Sequence, residues 1–178
     1  QQFIQADDQA VCIPIPDEYK DAHNVYKCNE PITSRAGASN QVIYISSCHF
    51  TMMKSIADGA AIFITLNSIS YPSLIYNCVF EECVTTKNGG AIRIQSKYPD
   101  SYSNISKCIF RDNQAANGGA IYFNAIYSTI SECTFINNLA TKPTNLVGAD
   151  FYYVSKDSVT SNTDKILLIQ NCEFFRDK

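Results

Sequence analysis

Eight cysteines, two histidines and 17 acidic residues are the side chains of this 178-residue chain suited to nucleophilic, metal or acid–base work. Each kind of work demands a spacing. Zinc needs Cys or His in matched pairs, and Cys78 and Cys83 form C-x4-C with no companion pair. A Cys–His dyad needs both side chains on one face, whereas Cys48 and His49 are neighbours in a β-prone run and point opposite ways. His49 is expected to face solvent, and His23 sits in a polar N-terminal stretch. Sugar cleavage on a β scaffold needs clustered carboxylates, or calcium-binding aspartates beside an Arg or Lys base. The outward acids of the repeats are sparse: Glu81, Glu82, Asp112, Glu132 and Glu173. Neither a catalytic residue, a metal ligand nor a cofactor is expected.

The cysteines report something else, a repeat. C-x-F recurs at Cys48–Phe50, Cys78–Phe80, Cys108–Phe110, Cys133–Phe135 and Cys172–Phe174, at spacings of 30, 30, 25 and 39 residues. Three residues before each cysteine stands an isoleucine: Ile45, Ile75, Ile105, Ile130 and Ile169. A second motif alternates with the first. It reads D-G-A-A-I at 58–62, N-G-G-A-I at 88–92 and 117–121, and a degraded copy at 146–150 that places Ala149 and Asp150 in the A-I columns. Short β-prone runs follow, such as 61–64, 120–123 and 151–154.

Short strands without a 3.6-residue stripe, repeated about every 30 residues, cannot bury an apolar face alone but can when stacked. The expected fold is all-β, a right-handed parallel β-helix of four to five coils over residues 42–178, with residues 1–41 as an N-terminal cap segment. Handedness follows the general preference of parallel crossovers. Ile, Cys and Phe then form internal ladders, with a corner or bulge between Ile and Cys that brings both inside. The G-G pairs supply a positive φ or a close backbone approach at another corner. Five residues after each ladder cysteine come Met53, Cys83, Asn113, Asn138 and Asp177. Asparagine at a corner bonds backbone groups and its neighbour in the stack, and Cys83 takes that place as a small soft apolar group.

The F-x-x-N motifs (Phe110 to Asn113, Phe135 to Asn138) and the G-G-A-I motifs (89–92, 118–121) resemble the repeats of polymorphic outer membrane proteins of the chlamydial type. The resemblance covers residues 42–178. It implies a right-handed parallel β-helix displayed outside the cell, in a family linked to adhesion. Phe50 and Phe80 depart from the pattern, being followed by Met53 and Cys83.

Composition sets the remaining expectations. A net charge of −3 without a basic run argues against nucleic acid. No apolar stretch approaches the roughly 20 residues of a membrane span. Asn, Ser and Thr supply 43 residues while charged residues make up 17%, a balance that fits a secreted or cell-surface β protein. A chain that starts at Gln1 fits a mature protein whose signal peptide has been removed. Stacked ladder cysteines about 4.8 Å apart exceed the ~3.5–4.5 Å of a disulfide, so they are expected as free buried thiols. Cys12 and Cys28 lie outside the repeat and are the expected disulfide, stapling the cap. Asn104 carries the one N-x-S/T sequon and is the glycosylation candidate. Phe63, Arg93, Tyr122 and Tyr152 (or Phe151) should make an outward aromatic stripe, open to sugar rings or a partner. The longest loops, 65–73, 95–103 and 154–165, leave one edge of the stack, the usual place for recognition. After Phe174 only four residues follow, so self-association through an open β-helix end is expected. The functional expectation is a structural or adhesive surface protein that stacks head to tail. The alternatives are a carbohydrate-binding or polysaccharide-processing module, or a piece of a larger adhesin whose partner is a glycan or host surface protein.

Overall fold

The computed structural model describes residues 24–26, 43–66, 72–96, 101–124, 127–142, 148–154 and 167–177. A single strand, β1 (Asn24–Tyr26), comes first. The first full coil holds β2 (Ile43–Ser46), β3 (His49–Thr51), β4 (Lys54–Ser55) and β5 (Ile62–Leu66). The second holds β6 (Ser73–Tyr76), β7 (Val79–Glu81), β8 (Val84–Thr85) and β9 (Ile92–Ser96). The third holds β10 (Tyr102–Ser106), β11 (Ile109–Arg111), β12 (Gln114–Ala115) and β13 (Ile121–Asn124). The fourth holds β14 (Tyr127–Ser131), β15 (Thr134–Ile136), β16 (Leu139–Ala140) and β17 (Phe151–Tyr153), and β18 (Leu167–Gln170) and β19 (Glu173–Phe175) begin another. Among the described residues there is no helix, and so none long and apolar enough to cross a membrane.

Each strand pairs in parallel with its counterpart one coil away. Four sheets result: β1-β2-β6-β10-β14-β18, β3-β7-β11-β15-β19, β4-β8-β12-β16 and β5-β9-β13-β17. The chain is a parallel β-helix. Register follows the repeat: Ile45, Ile75, Ile105, Ile130 and Ile169 are paired in line, as are Phe50, Phe80, Phe110, Phe135 and Phe174. The strand β1 pairs with β2, so the first rung lies within the stretch that the sequence reading gives to the cap. Cys12, Cys28 and His23 lie outside the described residues, and with them the expected disulfide.

Left-handed backbone sets three corners in each of the first three coils and two in the fourth, where Gly148 is not left-handed. Positive φ falls on the residue before each ladder cysteine: Ser47, Asn77, Lys107, Glu132 and Asn171. It falls again on Met52, Glu82, Asp112 and Asn137, and on Gly59, Gly89 and Gly118. The corner between Ile and Cys therefore exists and turns both inward. At the third corner both roles foreseen for the glycines occur. Gly89 has φ +69°, and a Cβ there would meet the Ile92 carbonyl oxygen at 2.1 Å. Gly90 instead gives close approach, since its Cβ would lie 1.9 Å from the Gly119 oxygen.

One alignment is corrected. Phe151, not Asp150, pairs with Ile121, and Tyr152 with Tyr122. A Cβ on Gly148 would meet Phe151 O, as one on Gly118 would meet Ile121 O, so Gly148 matches the first glycine of the motif rather than the second. Backbone pairing fixes this register, and it places Asp150 in the alanine column.

The core is one cluster, mainly of Ile, Phe, Ala and Cys, from three of the sheets and the corners, with no member from the β4-β8-β12-β16 sheet. Phe80, Phe110, Phe123 and Phe135 are fully enclosed. The ladder rings run parallel, 4.8 Å (Phe50–Phe80), 4.9 Å (Phe80–Phe110), 4.9 Å (Phe110–Phe135) and 5.1 Å (Phe135–Phe174) between centroids. That spacing is the distance between neighbouring strands, so the rings repeat with the coils. Ladder residues of the last rung are in register but less enclosed. Ile169 and Cys172 are half-buried, and Phe174 is 48% exposed. The physical reason is that, among the described residues, no strand pairs beyond β18 and β19.

Candidate functional site

The cysteines are corner residues that hydrogen-bond, a role their apolar reading hides. The Cys48 amide donates to Cys78 Sγ (3.5 Å), Cys78 N to Cys108 Sγ (3.4 Å) and Cys108 N to Cys133 Sγ (3.4 Å). Each thiol donates in turn to the carbonyl two residues back on its own coil: Ser46, Tyr76, Ser106, Ser131 and Gln170, at 3.2–3.4 Å. A second, longer contact reaches the ladder isoleucine of the preceding coil, as from Cys78 to Ile45 O (3.8 Å).

The second corner repeats the pattern with asparagine. Cys83 N donates to Asn113 Oδ1 (3.0 Å) and Asn113 N to Asn138 Oδ1 (3.1 Å). Asn113 Nδ2 donates to Phe80 O (3.0 Å), and Asn138 Nδ2 to Phe110 O (3.0 Å). Both asparagines are wholly buried and spend their amides on the stack. Cys83 makes the same reach with its thiol, to Phe50 O at 3.7 Å and Glu81 O at 3.6 Å. At the column's end Asp150, held by Arg176 Nη2 (3.3 Å), accepts from Asn138 Nδ2 (3.0 Å). Asp177, expected in this column, faces Asn137 instead.

All six described cysteines are free. Burial pushes the Cys83 thiol up to about 12. Desolvation first, then the neighbouring thiols, raises Cys108 well above its ordinary value, while hydrogen bonds from Cys108 draw Cys133 down. For Cys78, burial is outweighed by hydrogen bonds from Cys108 and Cys48, which lower it. Cys172, at the edge, is raised by burial.

A third column went unread in the sequence. Asn88 Nδ2 and N both donate to Asp58 Oδ1 (2.9 and 3.0 Å), and Asn117 Nδ2 donates to Asn88 Oδ1 (2.7 Å). Its signal was the D-G and N-G dipeptides at spacings of 30 and 29.

The outward column is in line: Phe63 with Arg93, Arg93 with Tyr122, Tyr122 with Tyr152. All four side chains are half-buried. The Arg93 guanidinium lies 5.6 Å from the Phe63 ring and 5.1 Å from the Tyr122 ring, and pairs with Asp58. Tyr122 and Tyr152 stack at 5.4 Å. The Tyr122 ring thus has a neighbour on each side along the column, and Phe63 and Tyr152 have one each. Of the outward acids, Glu81 is held by Arg111 (3.0 Å) and His49 (3.5 Å), and Glu132 by Lys107 (3.8 Å). Among the described residues no three His, Cys, Asp or Glu side chains converge as a metal site. Asn104 lies mid-strand on β10, between Leu74 and Thr129, with its Oδ1 enclosed.

The fold and its self-satisfied corners define the class: a laddered parallel β-helix. Within that class the chain carries a repeat of a known kind, because residues 107–124 match the Chlamydia polymorphic membrane protein repeat. That match runs from the left-handed Lys107 through all three corners to the end of β13. No curated protein and no solved structure matches the chain.

Proposed function

We propose that this chain is a structural solenoid of a cell surface, holding its longer connections out for adhesion. The observation that carries the reading is the repeat match at 107–124, which lies on the three left-handed corners shared by the first three coils. The topology supports it. The connections 67–71, 97–100, 125–126 and 155–166, which lie outside the described residues, all join the end of the β5-β9-β13-β17 sheet to the start of the sheet led by β1. Connections of unequal length on one edge of a rigid stack suit recognition. The partner in this reading is a glycan or a protein of a host surface, and end-to-end stacking of copies adds length to the display. Protease shaving of intact cells that make the protein tests the location. Peptides of this chain should be released before lysis, and their appearance only after lysis overturns the reading. Beads coated with the chain should then adhere to a glycan array or host cell layer. Loss of adhesion when residues 155–166 are replaced by a Gly-Ser linker assigns the binding edge.

A further inference from the structure

The third corner carries a chemistry that the stack suppresses. Asn-Gly is the dipeptide most open to spontaneous deamidation, because glycine leaves its own amide nitrogen unhindered. Two such pairs, Asn88–Gly89 and Asn117–Gly118, stand one above the other, with Asp58–Gly59 in the same column. In the reaction the Gly89 nitrogen gives up its proton and attacks Cγ of Asn88. The C–Nδ2 bond breaks and ammonia leaves, closing a succinimide. Water then opens the ring at either carbonyl, to aspartate or to isoaspartate.

We propose that Asn88 is a latent deamidation site held shut by coil stacking, and that its conversion latches a coil open. Every atom that must move at Asn88 is engaged. The Gly89 nitrogen donates to Asn117 O at 3.0 Å. The leaving Nδ2 donates to Asp58 Oδ1 at 2.9 Å, and Oδ1 accepts from Asn117 Nδ2 at 2.7 Å. Ring closure therefore waits for the coil to separate from its neighbours. Reclosure after reaction is opposed twice. A carboxylate at 88 has no side-chain proton for Asp58 Oδ1 and brings a second negative charge beside it, while Arg93 is already paired with Asp58. An isoaspartate adds a backbone methylene at a corner whose neighbours are set 30 and 29 residues away. At Asn117, conversion removes the donor to Asn88 Oδ1.

The test follows both asparagines by peptide mass mapping in mildly alkaline buffer, with and without denaturing guanidinium. Asn88 in the native chain should convert at least about tenfold more slowly than in the denatured chain, tracking the open fraction. Equal rates overturn the proposal. The latch is read separately. Asn88→Asp should melt below the wild type at neutral pH. A melting temperature equal to that of the wild type overturns the latch. Should Asn88→Asp not fold at all, sub-denaturing guanidinium on the wild type gives the same reading: chains converted at Asn88 should stay protease-sensitive after the denaturant is removed, and recovery of resistance overturns the latch.

Discussion

At the first corner of every coil a cysteine follows the left-handed residue. At the second corner Met53, Cys83, Asn113 and Asn138 hold that place in turn. The geometry is otherwise shared: an inward Ile or Phe, one residue, a left-handed residue, then the corner side chain. The asparagine column makes N–H···O bonds of 2.9–3.1 Å and gives its amide to a carbonyl of the coil before. The cysteine column makes contacts of 3.2–3.9 Å through sulfur, which accepts an amide and donates to a carbonyl within the apolar core. Met53 fills this place with no proton to donate, whereas asparagine and cysteine both accept and donate at the corner. Asparagine does this with more strength, and cysteine with less polarity to bury.

The largest expected effect comes from breaking the strong column. Asn113→Leu keeps the volume but orphans the buried Cys83 N and takes the side-chain donor from Phe80 O, and should cost about 3 kcal/mol in denaturant unfolding. A loss under about 1 kcal/mol would mean that these bonds are replaceable. In the weak column, Cys108→Ala should cost about 2 kcal/mol, from lost sulfur packing and an unpaired Cys78 amide. A cost equal to that of Asn113→Leu would erase the difference between the corners. Alkaline pH next tests the thiol that sits in the asparagine column. The Cys83 thiol has an ordinary value of 9.0 and is held near 12 in the folded chain. Between those values the unfolded chain has lost the proton that the folded chain keeps, so stability falls as pH rises through the window. Cys83→Ala should flatten part of that fall in denaturant midpoints, and an unchanged slope would contradict the assignment. Arg93→Gln, in a half-buried pair and between two rings, should shift stability by only about 1 kcal/mol.

Much of this was legible because a β-helix writes its columns as letters at a fixed period. Ile, Cys and Phe at shared spacings gave the ladders, the parallel register and the corner between Ile and Cys. The illegible parts have physical causes. Cysteine reads as apolar, so its hydrogen bonds were invisible until its corner stood beside the asparagine corner. The degraded motif at 146–150 lacks a second glycine, and only backbone pairing shows that Asp150 takes an alanine position and closes the asparagine column. The outward stripe was placed in the right column, but Arg93 is long enough to lie between its neighbours' rings, which a list of positions does not tell. Phe174 belongs to the phenylalanine ladder by letter, while its exposure depends on what stacks beyond it.

Cys83 is the cysteine that sits in the asparagine column, so it tests the shared corner most directly. The measurement is the unfolding free energy of Cys83→Asn and Cys83→Ala against the wild type. Asparagine should bond Phe50 O with a true amide and leave stability unchanged or higher, while alanine should lose about 1–2 kcal/mol. Alanine as stable as cysteine, or asparagine as damaging as alanine, would contradict the account.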